Sequence, residues 1–144
     1  MQIQNYKNHT RYVLMYHAVL SLILIACLAG SIWNLSRANE HNTGRLIGAV
    51  VVGLCIAGLI FFWYARHFAI IAQDRSIRAE ENLRHFALTG KLLDNRLTIS
   101  QVIALRFAAD TEFLLLAEKA ANENMKPKDI KMAIVNWKAD HYRA

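Results

Sequence analysis

Two apolar runs, each about 20 residues long, constrain most strongly what this chain can fold into. The first covers residues 13–33 and the second covers residues 46–64. At a rise of about 1.5 Å per residue, helices of this length match a bilayer core about 30 Å thick. Tyr16, His17 and Ser21 are polar side chains in the first half of the first run, and neither run carries a charged residue. Because a buried helix of a soluble protein is rarely apolar on every side, the runs predict two membrane-spanning helices.

The polar segment 34–45 between the runs is too short to hold a domain, so we expect antiparallel neighbouring helices. Lysines and arginines near the membrane ends set the orientation. Two basic residues, Lys7 and Arg11, precede the first run, and two, Arg37 and Arg45, lie between the runs, so these counts are equal. The side that holds the N-terminus gains an excess from the arginines that follow the second run, Arg66, Arg75, Arg78 and Arg84. We therefore predict a protein of the bacterial inner membrane with both termini in the cytoplasm.

An alternative for the first run is a lipoprotein signal, since residues 24–27 loosely fit a cleavage site before Cys27. The run continues apolar to Trp33, where a mature lipoprotein would turn polar. We therefore expect the run to be retained, with Cys27 and Cys55 as small apolar residues.

The second helix is expected to continue past the membrane as a cytoplasmic stalk. No proline or glycine interrupts residues 64–89, and Thr89-Gly90 is a plausible helix stop. Thr98 and Gln101 fit a capping box that opens a helix through about Phe107.

Two further helices are predicted in the last third of the chain. Asp110 resembles the N-cap of one. Pro127 suits the first turn of the other, in which Ile130, Ile134 and Trp137 follow helical spacing. The fold class is therefore all-α, with a transmembrane hairpin in residues 1–64 and a stalk and three-helix domain in residues 65–144. The predicted core of that domain is Leu105, Phe107, Leu114, Ile130, Ile134 and Trp137.

Small residues recur at intervals of four in the second run, at Ala49, Gly53 and Ala57, and Ala26 and Gly30 share this spacing in the first run. Rows of this kind let helix backbones approach closely in lipid. The row either packs the hairpin on itself or meets a partner helix.

His17 and His67 are the candidate ligands for a cofactor. In an antiparallel hairpin they would lie at similar depth, so a shared haem or metal is conceivable. Two histidines on different helices have no diagnostic spacing, and we expect no cofactor. The motifs GxSxG, HExxH and CxxC and a phosphate-binding glycine loop are absent from the sequence, so no enzyme is predicted.

The formal net charge of +6 raises the question of nucleic-acid binding. From residue 91 onward, nine basic residues face seven acidic ones, which makes a mixed surface rather than a basic stripe. No nucleic-acid partner is expected, although a membrane-tethered regulator with a helix-turn-helix-like domain remains an alternative.

Three parts of the chain resemble an uncharacterised family of small bacterial membrane proteins with two spans: residues 4–12 with Tyr16-His17, residues 105–110, and residues 130–131 with 137–143. The first segment has the pattern QNYxNHxRYxxxYH. The resemblance covers essentially the whole chain and implies the same two-span layout. Members are sometimes labelled transporter permeases, a label that two helices do not support. The family implies no activity and no functional residues.

The opening of the chain is more polar than topology alone requires. The residues concerned are Asn5, Asn8, His9, Arg11, Tyr12 and His17. They either anchor the chain at the interface or bind lipid headgroups or a partner protein. The leading expectation is a non-catalytic accessory or scaffold protein that assembles with itself or with a larger membrane complex. The alternative is a haem-, metal- or ligand-binding protein that uses His17 and His67.

Overall fold

The computed structural model describes residues 4–6, 8, 12–37 and 43–140. Within these residues the chain forms α1 (Ser21–Arg37), α2 (Thr43–Thr89), α3 (Ile99–Leu105), α4 (Asp110–Asn122) and α5 (Pro127–Ala133). A π-helical segment, Met15–Leu20, leads directly into α1. The described chain has no named strand, which confirms the all-α prediction.

Two units divide the chain. The hairpin unit covers residues 12–68. The second unit, here called the helical unit, covers residues 69–144 and also takes in the described residues at the N-terminus. α2 supplies residues to both units, as predicted for a second helix that continues past its apolar run.

Two helices of the described chain are long and apolar enough to cross a membrane. One covers Met15–Arg37 with a mean hydropathy of 2.1, and the other covers Gly44–Thr89 with a mean hydropathy of 2.6. Both helices extend further toward the connecting segment than the predicted limits of Trp33 and Leu46. Residues 34–37 and 43–45, predicted as a polar turn, are helical. The Arg37 guanidinium lies 4.5 Å from the centre of the Trp33 ring, which favours continuation of α1 over the polar residues.

The two helices of the hairpin unit are antiparallel, as predicted. A methyl group built on Gly48 would lie 3.4 Å from Leu35, and one built on Gly58 would lie 3.2 Å from Leu24. From Gly48 to Gly58 along α2, the contacted residue of α1 moves backward in sequence, from Leu35 to Leu24, as in an antiparallel pair. Glycine at these two positions permits the close approach of the helices.

The helical unit starts from the end of α2, where local signals act as predicted. Gly90 has a φ of +72°, and its N–H donates to the carbonyl of Phe86 at 2.7 Å. Glycine adopts this left-handed conformation without the penalty that a Cβ brings. Thr98 opens α3 with a capping box, since its N–H donates to Gln101 Oε1 at 2.7 Å and its hydroxyl accepts from the Gln101 N–H.

The start of α4 differs from the prediction. Ala109 is the N-cap and makes no side-chain bond, while Asp110 is the first helical residue. The Asp110 carboxylate instead accepts from Arg84 Nε of α2 at 2.7 Å.

The end of α5 also differs, although Pro127 opens the helix as predicted. The helix stops at Ala133, so the expected helical positions of Ile134 and Trp137 are wrong. The Glu112 carboxylate accepts from the N–H groups of Val135 and Asn136 at 3.1 and 2.9 Å. The chain then continues in an extended form, and Trp137 pairs with Ala108 in an isolated antiparallel bridge.

A small core joins α3, α4 and α5 with the extended tail after α5. Its largest fully buried side chains are Phe107, Phe113, Leu105, Ile130 and Val102. Burial of each such side chain contributes roughly 1.5–3 kcal/mol. Of the predicted core, Leu105, Phe107, Ile130 and Ile134 are buried, and Leu114 and Trp137 are partly buried against them.

Candidate functional site

The start of the first apolar helix has an unusual backbone. Residues 15–20 form a π-helix, a rare conformation often found at functional sites. Tyr16 stacks on Phe62 of α2 with ring centroids 4.4 Å apart, and its hydroxyl donates to the Phe62 carbonyl. A tyrosine hydroxyl in apolar surroundings needs such an acceptor. The contact fixes the π-helical segment against α2.

His17 lies inside this π-helical segment. Its Nδ1 is 2.9 Å from the Val13 carbonyl oxygen, and its ring stacks on Tyr12 at 4.8 Å. His67 is exposed, and its ring centroid lies 6.3 Å from that of Phe68. Among the described residues, no hydrogen bond or ring contact joins the two histidines, and no group of three or more His, Cys, Asp or Glu is placed to hold a metal ion. The structure therefore adds no support to the predicted cofactor pair.

The row Ala49, Gly53 and Ala57 lies on an exposed face of α2. A Cβ built on Gly53 meets nothing within 4 Å, in contrast to Gly48 and Gly58. At 3.6 residues per turn, Gly48 and Gly58 each lie about 140° around the helix from Gly53. Gly53 therefore takes no part in the contact between α1 and α2, and a partner helix for the row stays a prediction. Gly30 of α1 is open in the same way.

The polar opening of the chain belongs to the helical unit. The Asn5 N–H donates to Asn8 Oδ1 at 2.6 Å, and the Asn8 N–H donates to the Asn5 carbonyl at 3.2 Å, which closes a turn. Gln4 is buried, and its side-chain amide makes two hydrogen bonds with the main chain of Asp140. Tyr12 begins the hairpin unit and is 62% exposed. His9 and Arg11, predicted as interaction residues, lie outside the described residues.

Two arginines that sequence reasoning did not select as site residues are central to the helical unit. Arg84 of α2 donates to Glu81 at 3.0 Å and to the Ala108 carbonyl at 2.7 Å, and its guanidinium lies 4.2 Å from the centre of the Phe113 ring. It thereby joins α2 to the start of α4. The partners of Arg84 lie up to 29 positions away, so no local pattern marks it.

Arg106 is the second of these arginines and is 9% exposed. Its Nη1 lies 3.3 Å from Asp140 Oδ2, and its guanidinium lies 4.6 Å from the centre of the Phe107 ring. Burial lowers the pKa of the Arg106 guanidinium, and the negative charge of Asp140 opposes that shift. Burial therefore disfavours the charged guanidinium, and the ion pair with Asp140 partly compensates for the lost hydration.

A groove of about 580 Å³ lies between the end of α2, the segment after it and α4. His85, Lys91, Leu93 and Leu114 contribute to its lining. His85 Nδ1 lies 2.7 Å from the Lys91 carbonyl oxygen, so this ring nitrogen holds the turn after α2. Thr89 Oγ1 lies 3.2 Å from the same nitrogen and donates to the His85 carbonyl at 2.7 Å. Both side chains therefore bind the main chain of this turn, and we assign no chemistry to the groove.

The chain is thus an all-helical protein. Two of its helices are long and apolar enough to cross a membrane, and Arg84 and Arg106 connect the elements of its helical unit. The chain belongs to the family of unknown function DUF6526, whose profile matches residues 1–144. This match confirms membership of an uncharacterised family over the whole chain. No curated protein and no solved structure matches the chain.

Proposed function

We propose that the chain is a non-catalytic integral membrane protein of the bacterial inner membrane that acts by assembly, with copies of itself or with a larger membrane complex. The observation that carries this proposal is the outward row of Ala49, Gly53 and Ala57. In lipid, helix association depends on close backbone approach at small residues rather than on hydrophobic burial. A row that the hairpin does not use is therefore a surface for another helix.

The surroundings of the row support the same conclusion. Large apolar side chains of both apolar helices are exposed, among them Leu22, Trp33, Leu54 and Phe61. Two helices alone do not enclose a pathway for a substrate. An accessory or scaffold role requires only that the surface be recognised by a neighbouring helix.

Cysteine cross-linking in native membranes tests the proposal. In a chain with Cys27→Ala and Cys55→Ala, mild oxidation of Gly53→Cys is expected to yield a covalent product. Twice the monomer mass of 16.4 kDa would indicate self-assembly, and any other mass would identify a complex. The matched control is Leu54→Cys, which is 65% exposed at nearly the same depth but lies about 100° around the helix.

A bulky substitution in the row is a second test of the proposed assembly. Gly53→Ile is expected to release the monomer from the assembly in mild detergent, while Leu54→Ile leaves the assembly intact. A wild-type protein that has the monomer mass in native mass spectrometry, together with equal cross-linking at positions 53 and 54, would contradict the proposal.

A further inference from the structure

In the helical unit, one side of α2 is covered and the opposite side is not. Ile77 and Glu81 are each 6% exposed. Residues two positions apart lie about 160° apart around a helix, so Ala79 and Leu83 are on the other side. Both are exposed, and Leu83 is 67% exposed. This side of α2 is therefore open to a partner.

The open side follows the spacing of a coiled coil. Its exposed residues recur at alternating intervals of three and four, and we call this set the seam: Ala69, Ala72, Ser76, Ala79, Leu83 and Phe86. Six charged residues lie within residues 69–86, and none of them is in the seam. The exposed face of a surface helix is normally its charged face. A seam that is free of charge and ends in Leu83 and Phe86 instead suits burial against another helix.

The charges beside the seam point to the partner. If the seam residues take the a and d positions of a heptad, Arg75 falls at position g and Glu80 at position e. Both side chains are exposed. In a parallel pair of helices, a residue at g faces the residue at e five positions later on the other helix, and opposite charges there favour the pair. Arg75 of one copy therefore meets Glu80 of a second copy, and the reverse contact follows by symmetry.

We propose that α2 pairs through the seam with α2 of a second copy of this chain, as a parallel two-stranded coiled coil over residues 69–86. This inference rests on the proposed function and names the partner as a second copy. Copies inserted in one bilayer share one orientation, so a twofold axis along the membrane normal makes their helices parallel and in register. About two and a half heptads are marginal alone, so the pair relies on the high effective concentration of chains in one membrane.

Disulfide cross-linking in native membranes tests the contact. In a chain with Cys27→Ala and Cys55→Ala, mild oxidation of Leu83→Cys is expected to yield a product of twice the monomer mass of 16.4 kDa. The reason is that facing a positions of a parallel pair lie within reach of a disulfide. The matched control is Leu88→Cys, which is 44% exposed but lies about 140° around α2 from Leu83. Equal yields at the two positions, or a product of any other mass at position 83, would overturn the proposal.

Reversal of the flanking charges tests whether the partner is a second copy. Arg75→Glu and Glu80→Arg each bring like charges together, and each is expected to lower the yield at Leu83→Cys about fivefold. The control Lys91→Glu reverses an exposed charge beyond the seam and leaves the yield unchanged.

Co-expression of Arg75→Glu with Glu80→Arg, one chain carrying a tag that changes its mass, is the decisive arm. Each substituted side chain then faces its opposite charge on the other chain, so the mixed product should return to the yield of the unreversed chain. A mixed yield as low as that of either variant alone would overturn the proposal.

The seam and the row around Gly53 fail separately. A product from Gly53→Cys without one from Leu83→Cys would overturn the seam and leave the row in place. A product of twice the monomer mass from Leu83→Cys alone would support the seam and remove the row as the surface of assembly.

Discussion

Arg84 offers the most direct test of how the helical unit is held together. Its side chain is 11% exposed, and that of its partner Glu81 is 8% exposed. In Arg84→Gln, Glu81 keeps its negative charge in a nearly buried position. Removing one partner of a buried ion pair costs about 3–5 kcal/mol.

Three contributions set the expected size of the effect. The pair with Asp110, whose side chain is 66% exposed, adds at most about 1 kcal/mol. The contact with the Phe113 ring adds roughly 1–2 kcal/mol, because it is largely desolvated. Glutamine can still donate to the Ala108 carbonyl, and the small exposure of Arg84 lets water relax the remaining charge. We therefore take the Glu81 pair at the lower end of its range, about 3 kcal/mol, and with the other two contributions we expect Arg84→Gln to lower the free energy of unfolding by about 4–6 kcal/mol.

The assay is denaturant unfolding in mild detergent, followed by tryptophan fluorescence. Trp33→Phe and Trp63→Phe leave Trp137 as the one tryptophan, and Trp137 lies against the core of this unit. Arg96→Gln is the matched control. Its arginine also pairs with an aspartate, but its side chain is 61% exposed, and we expect no measurable change. Adding Glu81→Gln to Arg84→Gln should recover part of the loss, since the orphaned charge is then gone. A loss below about 1 kcal/mol, or no recovery in the double variant, would refute this account of Arg84.

Three smaller predictions concern the segment between α2 and α4. Gly90→Ala should destabilise the helical unit by about 1 kcal/mol in the same assay, because the left-handed φ of +72° disfavours a Cβ. Thr98→Ala should cost about 1 kcal/mol through loss of the capping box with Gln101, whereas Thr98→Ser should cost little. The side-chain hydrogen bond from Arg96 lowers the pKa of Asp94 to about 2 from an ordinary value of 3.8. Because the pair is exposed, its contribution to stability is small; that contribution is complete above about pH 4 and disappears as the pH falls through 2. An NMR titration should show the pKa of Asp94 returning toward 3.8 in Arg96→Gln.

Local signals made parts of the fold predictable from the sequence. The stop at Gly90, the capping box at Thr98 and the start at Pro127 each depend on groups within about four residues. The apolar runs likewise predict two long helices, since length and composition decide that question alone. Features of this kind were confirmed because no distant residue competes with them.

Distant partners explain the errors. Trp137 has the spacing of a helical residue relative to Ile130, but Glu112, more than 20 positions earlier, takes the N–H groups that would continue α5. Asp110 has the chemistry of an N-cap, but Arg84 binds its carboxylate. A pattern confined to one helix contains no information about either competitor.

The sites follow the same rule. The spacing of Ala49, Gly53 and Ala57 is visible in the sequence, but the direction in which the row points depends on which residues contact α1. Gln4 and Asp140 are 136 positions apart, and neither residue type marks the contact. Sequence reasoning therefore finds candidate surfaces in this chain and misses the long-range bonds that decide how they are used.

The bonds between Gln4 and Asp140 also bear on membrane topology without any count of charges. If both apolar helices cross the bilayer, a direct contact between residues 4 and 140 requires both ends of the chain to lie on the same side. The contact requires an even number of crossings but does not set the direction, for which the arginines after the second run favour the cytoplasm. In a chain with Cys27→Ala and Cys55→Ala, we expect an impermeant thiol reagent to label Asn5→Cys and Lys138→Cys only from the cytoplasmic side, and Arg37→Cys only from the opposite side. Labelling of all three positions from one side would show that the helices do not span. Labelling of Asn5→Cys and Lys138→Cys from opposite sides would mean that the contact between Gln4 and Asp140 does not exist within one membrane-inserted chain.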